Sequence, residues 1–454
     1  MLEKENNSLS QRDKNVLWHP FTQMAKAPMA IPIVRGEGTK LYDENGKVYI
    51  DAVASWWMNL HGHSHPYLCQ KLMEQATTLE HVIFANFTHA PAVNLAEGLL
   101  RVLPENQARV FFSDNGSTAV EVGVKMALQY WHNKGFKNKK RIIGLHNGYH
   151  GDTFGAMSVG GRTIFNKPFE DLLFEASALN APHANSLAEI EALYEKYGTE
   201  IAAFVFEPLV QGAGGMLMHK AEDLDAILAF CKSKNIICIA DEVMTGFYRT
   251  GKFFATDWCQ HKPDIFCLSK GLTAGMLPLG ATTCTAEIFD AFVSKTDAYK
   301  TFLHGHSHAG NPLACAIGIA SLELLLSRAT QENIQRIIQS HADFIQNRLS
   351  KFTIAKNIRQ TGVILAFDWN LFTEKENTYT HEFSGFIWNF FVEKGLILRP
   401  LGNTIYILPP YCISHEELES IYTAIMDFLY LTKKDFMAYI KVQENKANTG
   451  KVFI

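Results

Sequence analysis

The chain lacks the marks of several protein classes. No charge of one sign dominates: 42 Lys and Arg stand against 46 Asp and Glu, well mixed, for a net charge of −4. A nucleic-acid surface needs a basic face, so this balance argues against one. The eight cysteines are scattered and never form Cys-x-x-Cys. Cys238 and Cys267 lie inside apolar runs and read as small core residues of a reduced, cytoplasmic protein. Long apolar runs are missing too. The longest, near 313–326, contains Glu323 and is too short to span a bilayer. The opening MLEKENNSLSQRDKN is polar and charged, unlike a secretory signal, and residues 1–15 are expected to be mobile. No low-complexity tract or whole-domain repeat is visible.

What is present is a large apolar fraction, 47% of 454 residues, enough for a sizeable core. IPIVRG, KLYDE and KVYIDAV read as a small antiparallel meander, with Asn45-Gly46 as a hairpin turn. From about 60 to 330, short apolar runs alternate with helical patterns: RVFFSD, RIIGLH, AAFVFEP, IICIADE and DIFCLSK. That alternation implies an α/β unit with a mainly parallel sheet covered on both faces. Beyond 331 come an amphipathic helix, strand-like VILAFDW, LILRP and TIYILPP, and a helix opening at Ser414 with Glu417 as a capping box. The expected division is 1–60 and 331–433 as the two parts of a small α+β domain, and 61–330 as the large domain. Residues 434–454 form a tail of no clear signal.

In open α/β sheets, ligands bind outside the carboxyl ends of the strands. The residues that follow those ends are Ser113-Asp114-Asn115-Gly116-Ser117-Thr118, His146 to Asp152 with Tyr149, Glu207-Pro208, Asp241-Glu242 and Ser269-Lys270. The first turn has the make-up of a phosphate cup: a helix start, a glycine for close approach and two hydroxyls. Thr118 with Glu121 also fits a plain capping box. Asp241 ends an otherwise apolar strand and needs a cation or strong donor, either a protonated ring nitrogen or Arg249. A lysine and an acid ending consecutive strands suit pyridoxal 5'-phosphate (PLP), which needs both.

HGHSH occurs twice, at 61–65 and 304–308. Three alternate histidines would share one face of a strand and so raise a metal site. The glycines favour loops, no metal is expected, and the two copies share no flanks.

The segments SDNGSTAVEVGVKMALQYW, NGYHGDTFGAMSVG, FEPLVQGAGGM, ADEVMTGFYRTGKFFA, CLSKGLTAG and HGHSHAGNPLACA resemble the class III aminotransferases, PLP-dependent enzymes of fold type I. LWHPFTQM, SWWMNLHGHSHP and LRPLGNTIYILPPY resemble the branch of that class that aminates 8-amino-7-oxononanoate in biotin synthesis. The resemblance spans roughly residues 15–430. It implies a homodimer with shared sites. Lys270 would bind the cofactor covalently and move the proton, Asp241 would hold the ring nitrogen, Tyr149 would stack on the ring, and Glu207 would stand near its hydroxyl side. Gly116 and Ser117, with His306 and Ser307 of the other copy, would hold the phosphate. The substrate side would use Phe21, Trp56, Tyr149, Lys270, Gly305, Arg399 and Tyr406, with Arg399 on the substrate carboxylate. One departure bears on the amino donor: Phe21 stands where many relatives that use S-adenosylmethionine have tyrosine. S-adenosylmethionine is the expected donor. The alternatives are lysine as donor, or another class III ω-aminotransferase.

Overall fold

The computed structural model describes residues 8–25, 27–370 and 383–448. Its strands, in chain order, are β1 (Ile33–Glu37), β2 (Lys40–Asp43), β3 (Val48–Asp51), β4 (Gln107–Ser113), β5 (Arg141–Leu145), β6 (Ala176–Leu179), β7 (Ile201–Phe206), β8 (Val210–Gln211), β9 (Leu217–Met218), β10 (Ile237–Asp241), β11 (Ile265–Leu268), β12 (Gly280–Thr285), β13 (Ala355–Thr361), β14 (Ile364–Trp369), β15 (Leu396–Ile397) and β16 (Thr404–Ile407).

A seven-stranded sheet, ordered β4-β12-β11-β10-β7-β5-β6, organises the molecule. Its neighbours pair in parallel except at β12, which runs antiparallel to both β4 and β11. Strands β7, β10 and β11 are buried throughout. Their side chains alternate between two apolar layers. Phe204, Phe206, Cys238, Ala240, Phe266 and Leu268 face one, and Ala203, Val205, Ile237, Ile239, Ile265 and Cys267 face the other. The helix Gly116–Asn133 lies on the second layer, close enough at Gly123 that a Cβ there would meet Cys267 Sγ at 3.1 Å. That contact fixes the helix, and its N-terminus arrives at the carboxyl edge of the sheet.

Two smaller sheets flank this core. Strand β15 adds in parallel to β3, so the meander β1-β2-β3 shares a sheet with a C-terminal strand. The antiparallel β13-β14-β16 forms the other. The chain after β16 returns to the N-terminal part: Leu408 N donates to Ala52 O at 2.9 Å and Tyr411 N to Leu60 O at 2.7 Å. The helix His415–Leu429 opens with the expected reciprocal bonds between Ser414 and Glu417.

Two local expectations are corrected, and the tail gains an element. Of residues 1–15, expected to be mobile, 1–7 lie outside the described residues and 9–15 belong to the helix Leu9–Val16, capped by Ser8 and tied down by Ser10 Oγ donating to Ala30 O at 2.7 Å. In the tail, Lys433–Asn448 is helical, with Phe436 buried. Its entry carries a capping pair, Thr432 with Asp435. The Asn45-Gly46 turn does form, with Gly46 at φ 81°, and Asp43 Oδ1 accepts from Asn45 N and Lys47 N. The helix start at the first strand end is capped by Asn115 with Thr118 and not by Thr118 with Glu121. Glu121 instead accepts from Gly155 N and Ala156 N. Among the described residues, no single helix is long and apolar enough to cross a membrane.

Candidate active site

A cavity of about 500 Å³ opens at the carboxyl edge of the large sheet. Gly116, Ser117, Tyr149, Glu207, Asp241 and Lys270, all expected from strand ends, line it together. The helix entering at Gly116 presents its N-terminus there. A Cβ on Gly116 would come within 2.7 Å of Val243 Cγ1, so only glycine leaves this cup open. Ser117 Oγ pairs with Thr153 Oγ1 at 2.9 Å and accepts from Thr153 N, which fixes the rim.

Asp241 does not pair with Arg249. Its Oδ2 accepts from His150 Nδ1 at 2.7 Å, and its Oδ1 from Val243 N at 3.1 Å. His150 is fully enclosed. Burial works against its charge, yet the bond to Asp241, that carboxylate's charge and Glu207 hold its pKa above the ordinary histidine value. Arg249 is spent elsewhere, on the carbonyls of Pro409 at 2.9 Å and Trp57 at 3.1 Å. Glu207 accepts from Tyr149 N and Gly212 N, both at 2.9 Å. Burial raises its pKa to about 7, with His150 opposing and Asp241 adding to the rise. Tyr149 also donates its hydroxyl to Asp152 at 2.9 Å.

Lys270 sits at φ 43°, just past the end of β11, with Nζ 4.7 Å from the centre of the Trp57 ring. Burial lowers its pKa, and Arg249 adds to the fall against the pull of Asp241 and Glu207. A lysine eased toward its neutral form is what a nucleophilic amine requires.

A second cavity, of about 210 Å³, adjoins the first. Trp57, Met58, Tyr149 and Lys270 line both, and Phe21, Trp56, Phe165, Ala213 and Leu401 complete it. Phe21 meets Trp56 at 5.4 Å and Phe165 at 5.9 Å between ring centres, edge to face. Phe21 and Trp56 also line a third space, of about 620 Å³, where Arg399 lies 4.8 Å over the Trp56 ring. The three spaces thus stand in series: anion cup and lysine, aromatic chamber, then an arginine.

The tryptophan pair reaches this series through an unusual turn. Ala54, Ser55, Trp56 and Trp57 have φ of 50°, 44°, 69° and 72°, a left-handed turn without glycine. Each such residue costs about 1–2 kcal/mol against the right-handed form, so the surroundings must hold it.

A sequence model for the family described as "Aminotransferase class-III" matches residues 21–429. The chain belongs to the class III aminotransferases. Among relatives named adenosylmethionine-8-amino-7-oxononanoate aminotransferase, the protein of Synechococcus elongatus is 46% identical over 423 residues, 91% of this chain and 98% of that one. The Geobacter sulfurreducens protein of the same name is 39% identical over 92% of this chain and 96% of its own length. The crystal structure of the Methanocaldococcus jannaschii protein of that name superposes with a TM-score of 0.87 at 35% identity, covering 92% of this chain and 98% of that one. An amine transaminase from an uncultivated Pseudomonas species, solved in a PLP-bound form, superposes at 0.85 with 29% identity, covering 90% and 97%.

Class III aminotransferases depend on PLP, and the first cavity fits it. A helix start stripped to glycine suits the phosphate, a buried carboxylate faces the same space, and a lysine stands within it. Other expected site residues fall elsewhere in this class III chain. Tyr406 lines none of the three spaces. It lies buried under Trp57 and accepts from Trp57 Nε1 at 3.0 Å, so it backs a wall instead of forming one. Gly305, His306 and Ser307 stand outside the three spaces as well. His306 Nε2 lies 3.9 Å from Asp114 Oδ1, beside the cup's outer rim. The two HGHSH loops face different neighbours. His61 bonds Ser321, and His63 bonds Asp51 and Asn59, whereas His304 bonds Lys125 and His308 lies 5.4 Å from the His81 ring. Sequence reasoning missed His150 and Phe165. The first stands in GYHG beside the expected Tyr149. Phe165 follows in a loop that carries no strand-end signal.

Proposed function

We propose that this chain transfers an amino group to C7 of 8-amino-7-oxononanoate, giving 7,8-diaminononanoate in biotin synthesis, with S-adenosylmethionine as donor. The series of spaces carries this reading. An acceptor with a long apolar chain ending in a carboxylate needs a reactive lysine at one end, an apolar passage, and a cation at the other. Lys270, the chamber of Phe21, Trp56, Tyr149 and Phe165, and Arg399 supply these in order. Names of the relatives point the same way.

When bound, PLP supplies an electron sink for the carbon that gives or receives the amine. Gly116 and Ser117 would hold its phosphate at the helix start, joined by His306 and Ser307 of a second copy in a homodimer. Asp241 would keep a proton on the ring nitrogen, and His150 holds Asp241 in place. Tyr149 would cover the ring face, and Glu207 orients Tyr149 by accepting from its backbone N–H. Lys270 Nζ moves the proton at the reacting carbon, helped by a pKa lowered through burial. Arg399 grips the far carboxylate bidentately. Donor and acceptor use one pocket in turn, so initial-rate lines are expected to run parallel. The free thiols of the eight cysteines suit a cytoplasmic, reducing setting.

The deciding experiment is an absorption spectrum of the PLP-loaded protein with one amine added and no ketone. Loss of the bound cofactor's visible band with S-adenosylmethionine alone supports the donor named here. Loss with lysine alone keeps the acceptor and changes the donor. No loss with either, together with turnover of pyruvate, replaces the reading with another class III ω-aminotransferase.

A further inference from the structure

The left-handed turn at Ala54–Trp57 sets two tryptophans at the site, one against Lys270 and one in the aromatic chamber. No glycine relaxes it, so something else must hold it. The residue at its entry is Asp51, the last of β3 and wholly buried. Asp51 Oδ1 accepts from Val53 N at 3.2 Å. Its Oδ2 accepts from Ser55 Oγ at 2.7 Å and from His63 Nε2 at 3.0 Å. The histidine's tautomer follows from its other nitrogen. Asn59 Nδ2 donates to His63 Nδ1 at 3.0 Å, so Nε2 carries the hydrogen that reaches Asp51. Asn59 in turn accepts from Gly62 N at 2.7 Å. The backbone of His63 is pinned by a two-way bridge to Gly38. The middle histidine of the first HGHSH thus reaches back from a rigid loop to the carboxylate that closes the turn.

We infer that Asp51, Ser55 and His63 are positioning residues: their buried network holds the left-handed turn and thereby sets Trp56 and Trp57 for the acceptor. The inference rests on the substrate reading above only for its choice of ketone. It makes three claims. Breaking the network lets the turn relax toward right-handed backbone. Relaxation displaces Trp56 from the chamber wall, which weakens acceptor binding more than the chemical step. A glycine inside the turn removes the need for the network.

The test compares wild type, Asp51→Asn, Ser55→Ala and the double variant Asp51→Asn/Ser55→Gly as PLP-loaded enzymes. In Asp51→Asn, an amide replaces one acceptor with a donor aimed at the Ser55 and His63 hydrogens. The acceptor KM is expected to rise about tenfold with kcat within about threefold, the pattern of lost binding shared by ground and transition states. Near-UV circular dichroism, read without substrate, should lose tryptophan signal. Ser55→Ala removes one hydroxyl without threatening the fold and should raise KM about threefold. The double variant should return both readings toward wild type, because glycine tolerates the left-handed backbone. A wild-type KM and wild-type dichroism in Asp51→Asn or Ser55→Ala would overturn the inference. So would a loss of kcat that the glycine does not rescue, the signature of a general folding lesion. If wild type fails to turn over 8-amino-7-oxononanoate, the substrate reading fails; the dichroism and its glycine rescue then decide the turn on their own.

Discussion

Glu242 shows how much one buried carboxyl can set. It follows Asp241 but turns away from the site, and four donors converge on it: Thr245 Oγ1 at 2.6 Å, Ala255 N at 3.1 Å, and Thr256 N and Oγ1 at 2.9 Å. Burial still raises its pKa to about 7 against those donors. The folded state therefore binds this proton more tightly than the unfolded chain does. The contribution of Glu242 to stability is greatest below the ordinary carboxyl pKa, falls as pH climbs from 4.5 to about 7, and is level above. The shift corresponds to about 3 kcal/mol at a full pH span. Glu207 carries the same rise and adds a second share. Glu242→Gln should lower stability at about pH 5 by about 1–3 kcal/mol, since its amide faces donors. The difference in stability between variant and wild type should shrink as pH rises from 4.5 to about 7, because only wild type loses this contribution there. Denaturant melts of the two proteins across that range check both; a difference that stays constant with pH would show that Glu242 does not titrate there. At this scale the sequence was informative where a polar residue interrupts an apolar strand, as at Asp241 and Lys270. It was silent where function depends on a neighbour supplied by the fold. His150 bonds Asp241 across 91 positions, and no local pattern announces that.

Elements with a strong period were legible, and those whose signal is polar were not. Strand β12, GATTCT, was passed over because its threonines do not look like core. In the fold, Thr282 and Thr283 are wholly buried, satisfied by Ala119 O and Gln107 Oε1, both at 2.7 Å. The left-handed turn escaped for the opposite reason. Sequence rules assign such backbone to glycine, and Ala-Ser-Trp-Trp has none. The terminal helix Lys433–Asn448 offers a stability test at this scale. Phe436 inserts among Phe383, Phe386 and Trp369, at 4.6, 5.2 and 6.4 Å between ring centres, and Tyr439 adds a contact to Phe386 at 4.8 Å. Truncating a buried Phe leaves a cavity as well as losing transfer energy, so Phe436→Ala should cost about 3–5 kcal/mol. Deleting residues from 433 onward should cost at least as much, by uncovering Trp369. Both are read from guanidinium midpoints. A loss below about 1 kcal/mol would mean that the helix is only draped over the surface.

At the scale of the whole molecule, the sheet and the strand-end site were foreseeable, because alternating apolar runs fix a parallel sheet and the sheet fixes one ligand-bearing edge. The loop at 304–308 bears on the proposed homodimer. Its base is anchored within the chain: His304 stacks on Phe302 at 5.7 Å, Phe302 meets Phe111 at 5.3 Å, and Lys125 donates to His304 Nδ1 at 3.0 Å. Its tip, with Gly305 and Ser307, is exposed, and so are the apolar residues that lead to it, Tyr299 at 93% and Leu303 at 81%. A held base, an outward tip and an apolar approach suit a loop that is covered by, and reaches into, a second copy. The loop also lies beside Asp114 on the rim of its own cup, so a two-fold axis nearby would exchange the loops between the sites. Leu303→Arg places a charge in that contact. Sedimentation should then give a mass near 51.0 kDa in place of twice that value. On the proposed arrangement the variant should also lose PLP on dialysis faster than wild type, because Ser307 and His306 would no longer close the phosphate cup of a second copy. A variant that stays dimeric would place the contact elsewhere. A monomer that keeps PLP as wild type does would show that each chain closes its own cup, and that the histidine loop serves assembly alone.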